Sequence, residues 1–441
     1  MAEQVDMAAL ARKAQAGDPD AQYRMAAMLS GEGHKDRAVA LLRKAAASGH
    51  RDARFTLASF TLQGHLVKRN PGHAATILAR NEAAGHAASR HVLAVLTAMG
   101  HGRERDWPGA VALMAAGVEA GDPAAMRIMA GLAHLYGAAP DLADQLFLAA
   151  AMRGDIPAAL AVVRRSQQGV DLVDPGLQAH WLSAAHQAGH PLAADLARAG
   201  MAQPVPFSGA PDPVPDISEA GEAGESLWDM LSADPGSLPL PTAKPLNDAP
   251  RVAVLAGLVP PVVCDLLVGL AAPAMQPARI VDPSTGQARP DPYRHCFTAT
   301  LWPDGQDLLG VAVAARMAAV AGLPDEQGEM LSVLAYQQGM TYGPHYDCLT
   351  PGEEGANREL SRSGQRPHTV LLSLNDGYEG GETRFPRLEL SHRGAPGDAL
   401  LFDNVTADGQ RDDRALHESV AVKQGLKWIA SRWMRSMPYV F

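Results

Sequence analysis

The chain has 441 residues, 47% hydrophobic and 20% charged, with a formal net charge of −10. At a prior of about 150 residues per domain, that length implies two or three domains rather than one core. Residues 1–200 carry 20 Lys+Arg against 18 Asp+Glu, residues 201–250 carry 1 against 8, and residues 251–441 carry 17 against 22. No segment forms the basic patch that holds a phosphate backbone, so no nucleic-acid partner is expected.

The three cysteines, Cys264, Cys296 and Cys348, form no CxxC pair or Cys/His cluster, which argues against a disulfide framework and against structural zinc. The N-terminal residues are polar and lack the apolar run of a signal peptide. No stretch approaches the roughly 18 apolar residues that span a bilayer. A cytoplasmic protein without a membrane partner is expected.

A tripeptide of small residue or Arg, then Gly, then Asp or His recurs at Gly17, Gly49, Gly85, Gly121, Gly154 and Gly189, with spacings of 32, 36, 36, 33 and 35. Ala-rich segments of helical period flank each one. The pattern predicts a helix ending on a Gly cap, a short turn and a second helix. Such pairs cannot bury their apolar faces alone, so they stack on their neighbours as a solenoid. An irregular Ala-rich bundle is the alternative. The repeats resemble Sel-one-like repeats, a branch of the tetratricopeptide superfamily, over residues 8–200.

Residues 201–250 hold ten of the 33 prolines, eight acids and one lysine, and read as an extended linker. Within it, SLWDMLSA has the pattern of a short helix. From Arg251 the pattern turns mixed. Arg251–Leu255 reads as a strand, and helices are expected in PVVCDLLVGLAAP and DLLGVAVAARMAAVAGLP. Short apolar runs follow, divided by Gly, Pro and Asp: MLSVLAYQQG, HTVLLSLNDG, ALLFDNV, ESVAVKQG and LKWIASRWM. These suit an antiparallel β-sandwich. The expected architecture is multidomain: an N-terminal α-solenoid of helix-turn-helix repeats over 8–200, the linker 201–250, and over 251–441 a double-stranded β-helix (jelly roll) with supporting helices.

Chemistry concentrates in the last part. His345 and Asp347 are two apart, so on a strand both face one way. His417 lies 72 residues later, and Lys427 ten beyond that. Two histidines and one carboxylate form a facial triad that leaves metal positions open, and its usual metal is Fe(II). Open positions suit a chelating 2-oxo acid and O2. With these bound, oxidative decarboxylation to succinate and carbon dioxide accompanies oxidation of a substrate C–H bond. The far carboxylate of 2-oxoglutarate needs a cation. Lys427 sits on an alternating strand, on the same side as Ile429, Ser431 and Trp433. A buried lysine is costly unless paired, and a dianionic co-substrate would pair it.

Several segments occur in a fixed order: Tyr336-Gln-Gln-Gly339-Met-Thr-Tyr342-Gly-Pro-His345-Tyr-Asp347, then Thr369 to Asp376, Gly380-Gly381-Glu382-Thr383-Arg-Phe385-Pro386, Pro396 to Phe402, and Leu416-His417-Glu418-Ser419. Asp291-Pro-Tyr293-Arg294 lies upstream. On these residues, 251–441 resembles the prolyl 4-hydroxylase branch of the 2-oxoglutarate oxygenases. The resemblance implies His345, Asp347 and His417 as iron ligands and Lys427 as the 2-oxoglutarate anchor. It implies Thr369 and Tyr336 near the co-substrate, Trp433 and Tyr342 as pocket residues, and L-ascorbate as an iron reductant. For Thr369 the alternative is a satisfied strand hydroxyl, and for Tyr336 and Trp433 ordinary core aromatics. Halogenating relatives replace the carboxylate by a small residue, so Asp347 favours hydroxylation.

Residues 349–367 read as a mobile lid or a plain surface loop. Lys423 reads as a solvated turn residue and Cys348 as a passive small one. The expected substrate is a protein or peptide, proline first, recruited by the repeats. A free amino acid or other small molecule, or a non-catalytic repeat scaffold, are the alternatives.

Overall fold

The computed structural model describes residues 7–31, 33–197, 215–218, 226–281, 288–290, 293–352 and 354–440. Asp291, residues 198–200 at the end of the expected repeats, and residues 201–214 and 219–225 of the expected linker lie outside the described residues. The chain divides into two compact units, Met1–Gly117 and Val118–Phe441.

The first unit contains α1 (Met7–Gln15), α2 (Pro19–Gly31), α3 (Lys35–Ala47), α4 (Arg51–Gln63), α5 (Pro71–Glu82) and α6 (Ala87–Met99). Helix α7 (Trp107–Glu119) spans the division. The second unit continues with α8 (Pro123–Tyr136), α9 (Pro140–Met152), α10 (Ile156–Gln167), α11 (Pro175–Gln187) and α12 (Ala193–Ala197). The six repeat glycines sit in the turns between alternate helices, with φ from 72° to 95°. An L-residue pays about 1–2 kcal/mol in that left-handed region, which is why glycine recurs there. Asp or Asn side chains cap the next helix in several turns, as Asp122, Asp155 and Asp174 do. Successive helices meet through fully buried alanines such as Ala45, Ala53, Ala58 and Ala74. Among the described residues, no helix is long and apolar enough to cross a membrane.

Residues 226–250, read from composition as linker, are built into the second unit. Helix α13 (Leu227–Met230) starts on a capping box formed by Ser226 and Asp229 and buries Leu227. The buried Arg316 guanidinium donates to the Leu238 and Pro239 carbonyls. Lys244–Asp248 forms strand β1. Prolines suit this segment because the edge of a sheet tolerates a missing donor.

The remaining strands are β2 (Arg251–Leu255), β3 (Gln276–Pro277), β4 (Arg279–Val281), β5 (Ala288–Pro290), β6 (Phe297–Thr300), β7 (Ser332–Tyr336) and β8 (Tyr342–His345). They continue with β9 (His368–Ser373), β10 (Tyr378–Gly380), β11 (Thr383–Phe385), β12 (Leu390–His392) and β13 (Ala399–Asp403). The chain closes with β14 (His417–Ser419), β15 (Val422–Gly425) and β16 (Lys427–Met434). An eight-stranded sheet runs β1-β2-β13-β9-β16-β7-β6-β3, and a four-stranded sheet runs β12-β11-β14-β8. Phe385 of the small sheet packs on Val252, Leu400 and Phe402 of the large one, so the two sheets face each other as the jelly roll requires.

Helices α14 (Pro261–Ala271) and α15 (Leu308–Ala321) support the large sheet. Helix α15 packs on β9 and β16 with one side and on α8 with another, and α10 packs on α14. The contact is polar at its ends. Arg127 donates to Asp155 at 3.1 Å and to Asp307, the cap of α15, at 3.3 Å. Arg164 holds Asp265 through two bonds, at 2.6 and 3.1 Å. The last repeats therefore pack on the helices that support the oxygenase sheet.

The segment expected as a mobile lid contains helix α16 (Glu354–Ser363). Its far end is tied down. Arg435 donates to the Gly364 carbonyl and to Glu359, and the Gln365 side chain bonds both the N–H and the carbonyl of Leu349. Charged composition suggested a loop, but the short amphipathic period and the buried Ser363 are those of a docked helix.

Candidate metal centre and co-substrate pocket

Strands β8 and β14 pair antiparallel with His345 directly opposite His417. That register brings together two residues 72 apart in sequence, and Asp347 follows two positions beyond β8. Each histidine has its Nδ1 on a backbone carbonyl, His345 on Gly343 at 2.8 Å and His417 on Ala415 at 3.0 Å. A carbonyl only accepts, so Nδ1 carries the proton and the Nε2 lone pair is directed inward. His345 Nε2 lies 3.7 Å from Asp347 Oδ1, and His417 Nε2 lies 3.5 Å from Oδ2. Ligand atoms of the three residues all lie within 4.8 Å of one another. Two imidazole nitrogens and one carboxylate are a donor set that fits Fe(II).

The electrostatics agree with that use. Burial, with His417 adjacent, pushes His345 down to about 4, so its ring is neutral at physiological pH. Burial alone would raise the Asp347 carboxyl. The neighbouring histidines and the Thr369 hydroxyl outweigh it and hold the group well below the usual carboxylate range. Aromatic rings fix the imidazoles: Tyr342 stacks on His345 at 3.5 Å between centroids, and Phe402 meets His417 edge-on at 4.6 Å.

A cavity of about 520 Å³, counting its open mouth, extends from these residues between the sheets. Lys427 lies at 3% exposure in its wall, paired across strands with Tyr336, whose ring centroid is 5.0 Å from Nζ. The ammonium donates to the Gly381 carbonyl at 2.7 Å and the Ser419 hydroxyl at 2.9 Å. Both acceptors are neutral, and burial pushes the lysine down to about 8. Gly381 has φ 69°, and a Cβ there would lie 3.1 Å from Tyr378 and Val422 and 3.2 Å from Lys427 Cδ. The Gly-Gly pair thus lets a backbone carbonyl reach the lysine.

The predicted residues converge unevenly. Tyr336, Tyr342, Lys427 and Trp433 line the cavity with the metal triad, and Ile429 and Ser431 share that face of β16 as the alternation implies. Thr369 does not line it. Its fully buried hydroxyl donates to Asp347 Oδ2 at 2.7 Å, so it holds the carboxylate. Lys423 is exposed and Cys348 is buried. Arg294 and Ser419 also line the cavity. Both lie in segments the sequence singled out, yet nothing in a linear pattern aims their side chains inward. Arg366 stacks on Trp433 with its guanidinium carbon 3.8 Å from the ring centroid and is clamped by Glu329 at 2.6 Å. No sequence signal marked that pair.

The family model of the 2OG-Fe(II) oxygenase superfamily matches residues 331–435. Prolyl 4-hydroxylase 1 of Arabidopsis thaliana is 33% identical over 201 residues, 42% of this chain and 69% of that protein. Prolyl 4-hydroxylase 5 of the same plant is 34% identical over 203 residues, 42% of this chain and 68% of the relative. Among solved structures, the viral collagen prolyl hydroxylase of Paramecium Bursaria Chlorella virus-1 is 21% identical, with 44% of this chain and 99% of that one covered and a TM-score of 0.34. A Sel1 repeat protein from Oxalobacter formigenes is also 21% identical, with 40% and 76% covered and a TM-score of 0.36.

The chain belongs to the 2OG-Fe(II) oxygenase superfamily, on its prolyl 4-hydroxylase branch, and is a 2-oxoglutarate-dependent dioxygenase. Membership implies Fe(II), 2-oxoglutarate and O2.

Proposed function

We propose that this protein hydroxylates a side chain of a protein or peptide, proline first, at iron held by His345, Asp347 and His417, with 2-oxoglutarate anchored by Lys427. The observation that carries the reading is the pairing of two features in one cavity. Two imidazole Nε2 atoms and a carboxylate converge at one end, and a buried ammonium with only neutral hydrogen-bond partners lies in the wall beyond. When bound, Fe(II) with 2-oxoglutarate and O2 supplies oxidative decarboxylation coupled to hydroxylation of a C–H bond.

The chain's own residues bind and orient. The Gly343 and Ala415 carbonyls hold the imidazoles in the tautomer a metal needs. Lys427 attracts the distal carboxylate, Ser419 positions its ammonium, and Tyr336 walls that subsite. Tyr342 and Trp433 give the substrate an aromatic channel, which suits a pyrrolidine ring. Their curated relatives named prolyl 4-hydroxylases support that substrate class. L-ascorbate fits as the reductant of iron left oxidised by uncoupled turnover.

By this reading, residues 251–441 catalyse, 201–250 join them to the repeats with 226–250 docked on the catalytic domain, and the repeats over 8–200 recruit the substrate or a partner. Three free buried cysteines suit a reducing compartment, so we place the protein in the cytoplasm.

The test is succinate release from 2-oxoglutarate by anaerobically Fe(II)-loaded protein once oxygen is admitted, with a proline-rich peptide pool watched by mass spectrometry. Succinate that vanishes in His345→Ala and Asp347→Ala, with one oxygen gained by a peptide, supports the reading. Absence of both metal and 2-oxoglutarate binding would sink it.

A further inference from the structure

We propose that Asn404 is a positioning residue of the metal centre: through Thr369 it sets the direction of the hydrogen bond that holds the Asp347 carboxylate. The inference rests on the metal site proposed above.

Asn404 follows β13 directly and is 2% exposed. Its backbone is fixed on both sides, the N–H donating to the Pro367 carbonyl at 2.8 Å and the carbonyl accepting from the Asp412 N–H at 3.1 Å. The side-chain Nδ2 lies 3.2 Å from the Arg366 carbonyl oxygen and 2.9 Å from Thr369 Oγ1. A carbonyl oxygen can only accept. The amide group facing Arg366 is therefore the NH2, because the flipped amide would set two oxygens against each other.

Asn404 must then donate to Thr369 as well. A hydroxyl has one proton, and with its oxygen accepting from Asn404, Thr369 sends that proton to Asp347 Oδ2 at 2.7 Å. The result is a one-way donor chain that starts at the Asn404 NH2, which the Arg366 carbonyl orients by accepting from it, and runs through Thr369 to the carboxylate. Cross-strand pairing of Thr369 with Phe402 places its parts, since Asn404 lies two residues past that pair. Asn404 does not line the cavity and would touch neither metal nor substrate. Besides its bond to the Arg366 carbonyl, its carboxamide serves the carboxylate through Thr369, as outer partners of metal ligands do.

The test uses the full chain and an anaerobic Co(II) titration followed by visible d–d absorption. Asn404→Asp keeps the shape but offers only acceptors, so it takes the Thr369 proton and leaves Asp347 without its donor. Co(II) affinity should fall by about 10–100-fold. Added negative charge acting by itself would tighten cation binding, so the sign separates orientation from electrostatics. Thr369→Val should lose a similar factor. Asn404→Leu combined with Thr369→Val should bind no more weakly than Thr369→Val alone, because both cut one chain.

Wild-type affinity in a folded Asn404→Asp protein, or full additivity in the double variant, overturns the inference. Should the Asn404 variants not fold, Thr369→Val decides, and wild-type affinity there overturns the chain as a whole. The site itself fails differently. Either the unmodified protein takes up no Co(II), or Asp347→Ala binds it as well as the unmodified protein does, and both results remove the inference with the site.

Discussion

Two buried charges stand on the wall of one cavity, and the chain treats them in opposite ways. Asp347 receives a hydroxyl donor from Thr369 and faces two imidazoles, and its charged form is favoured. Lys427 is also buried but hydrogen-bonds only to a carbonyl and a hydroxyl, and burial outweighs the favourable field of Glu382, so its charged form is disfavoured. The chain stabilises the first charge as a fixed part of the fold. It holds the second at a cost, and a dianion would relieve that cost. Burial alone therefore does not distinguish the two: both groups are displaced downward, which favours the charged carboxylate and disfavours the charged ammonium.

The largest expected effect breaks the first half of the comparison. Asp347→Ala should abolish succinate formation and weaken Co(II) by more than the roughly 10–100-fold typical of outer-shell changes. The Lys427→Met variant tests the second half with two readouts of opposite sign. Co-substrate binding should fall by at least about 30-fold, the loss expected when one partner of a buried charge pair is removed. The apo-protein, measured by urea unfolding below pH 8, should gain stability, by less than the ~3 kcal/mol that displacement of the ammonium from 10.5 to about 8 costs on folding, because the Gly381 carbonyl and Ser419 hydroxyl lose their donor. An apo-protein destabilised by this change would contradict the contrast.

The same displacement sets a pH dependence. The folded lysine loses its proton near pH 8 while the unfolded one keeps it to 10.5, so between these values the unfolded chain binds more protons. This group's contribution to stability therefore rises with pH across that window. Its affinity for 2-oxoglutarate, which needs the charged form, should fall about tenfold per unit above pH 8. Calorimetric titration at several pH values checks this, and a flat profile would remove Lys427 as the anchor. The smallest effect lies in the repeats. Gly154→Ala places an L-residue at φ 89° and should cost about 1–2 kcal/mol, seen as faster hydrogen exchange in α9 and α10, with Co(II) affinity unchanged.

The repeats were legible because their information is local. A glycine at a fixed offset, alanines at helical spacing and a capping Asp each act within one or two turns, so six copies declare themselves in the sequence. The strands of the oxygenase were legible for a similar reason, since apolar runs and Gly-Pro punctuation set their limits. Residues 226–250 misled because proline and acid content describes solubility, whereas edge pairing of β1 with β2 and the buried Arg316 describe tertiary partners. In residues 349–367, composition did not reveal helix α16 or its tethers, which come from Arg435 and Gln365.

By itself, the sequence determined the two kinds of domain and singled out His345, Asp347, His417 and the lysine ten residues on, because chemical type and the order of the motifs mark them, although Asp347 lies in the bend after β8 and not on the strand. Tertiary structure alone decided that His417 faces His345, that Thr369 serves the carboxylate, that Asn404 stands behind it, and that Arg294 and Ser419 reach the cavity. The reason is physical: alternation along one strand fixes which face a side chain takes, but only the register between strands distant in sequence fixes what that face meets.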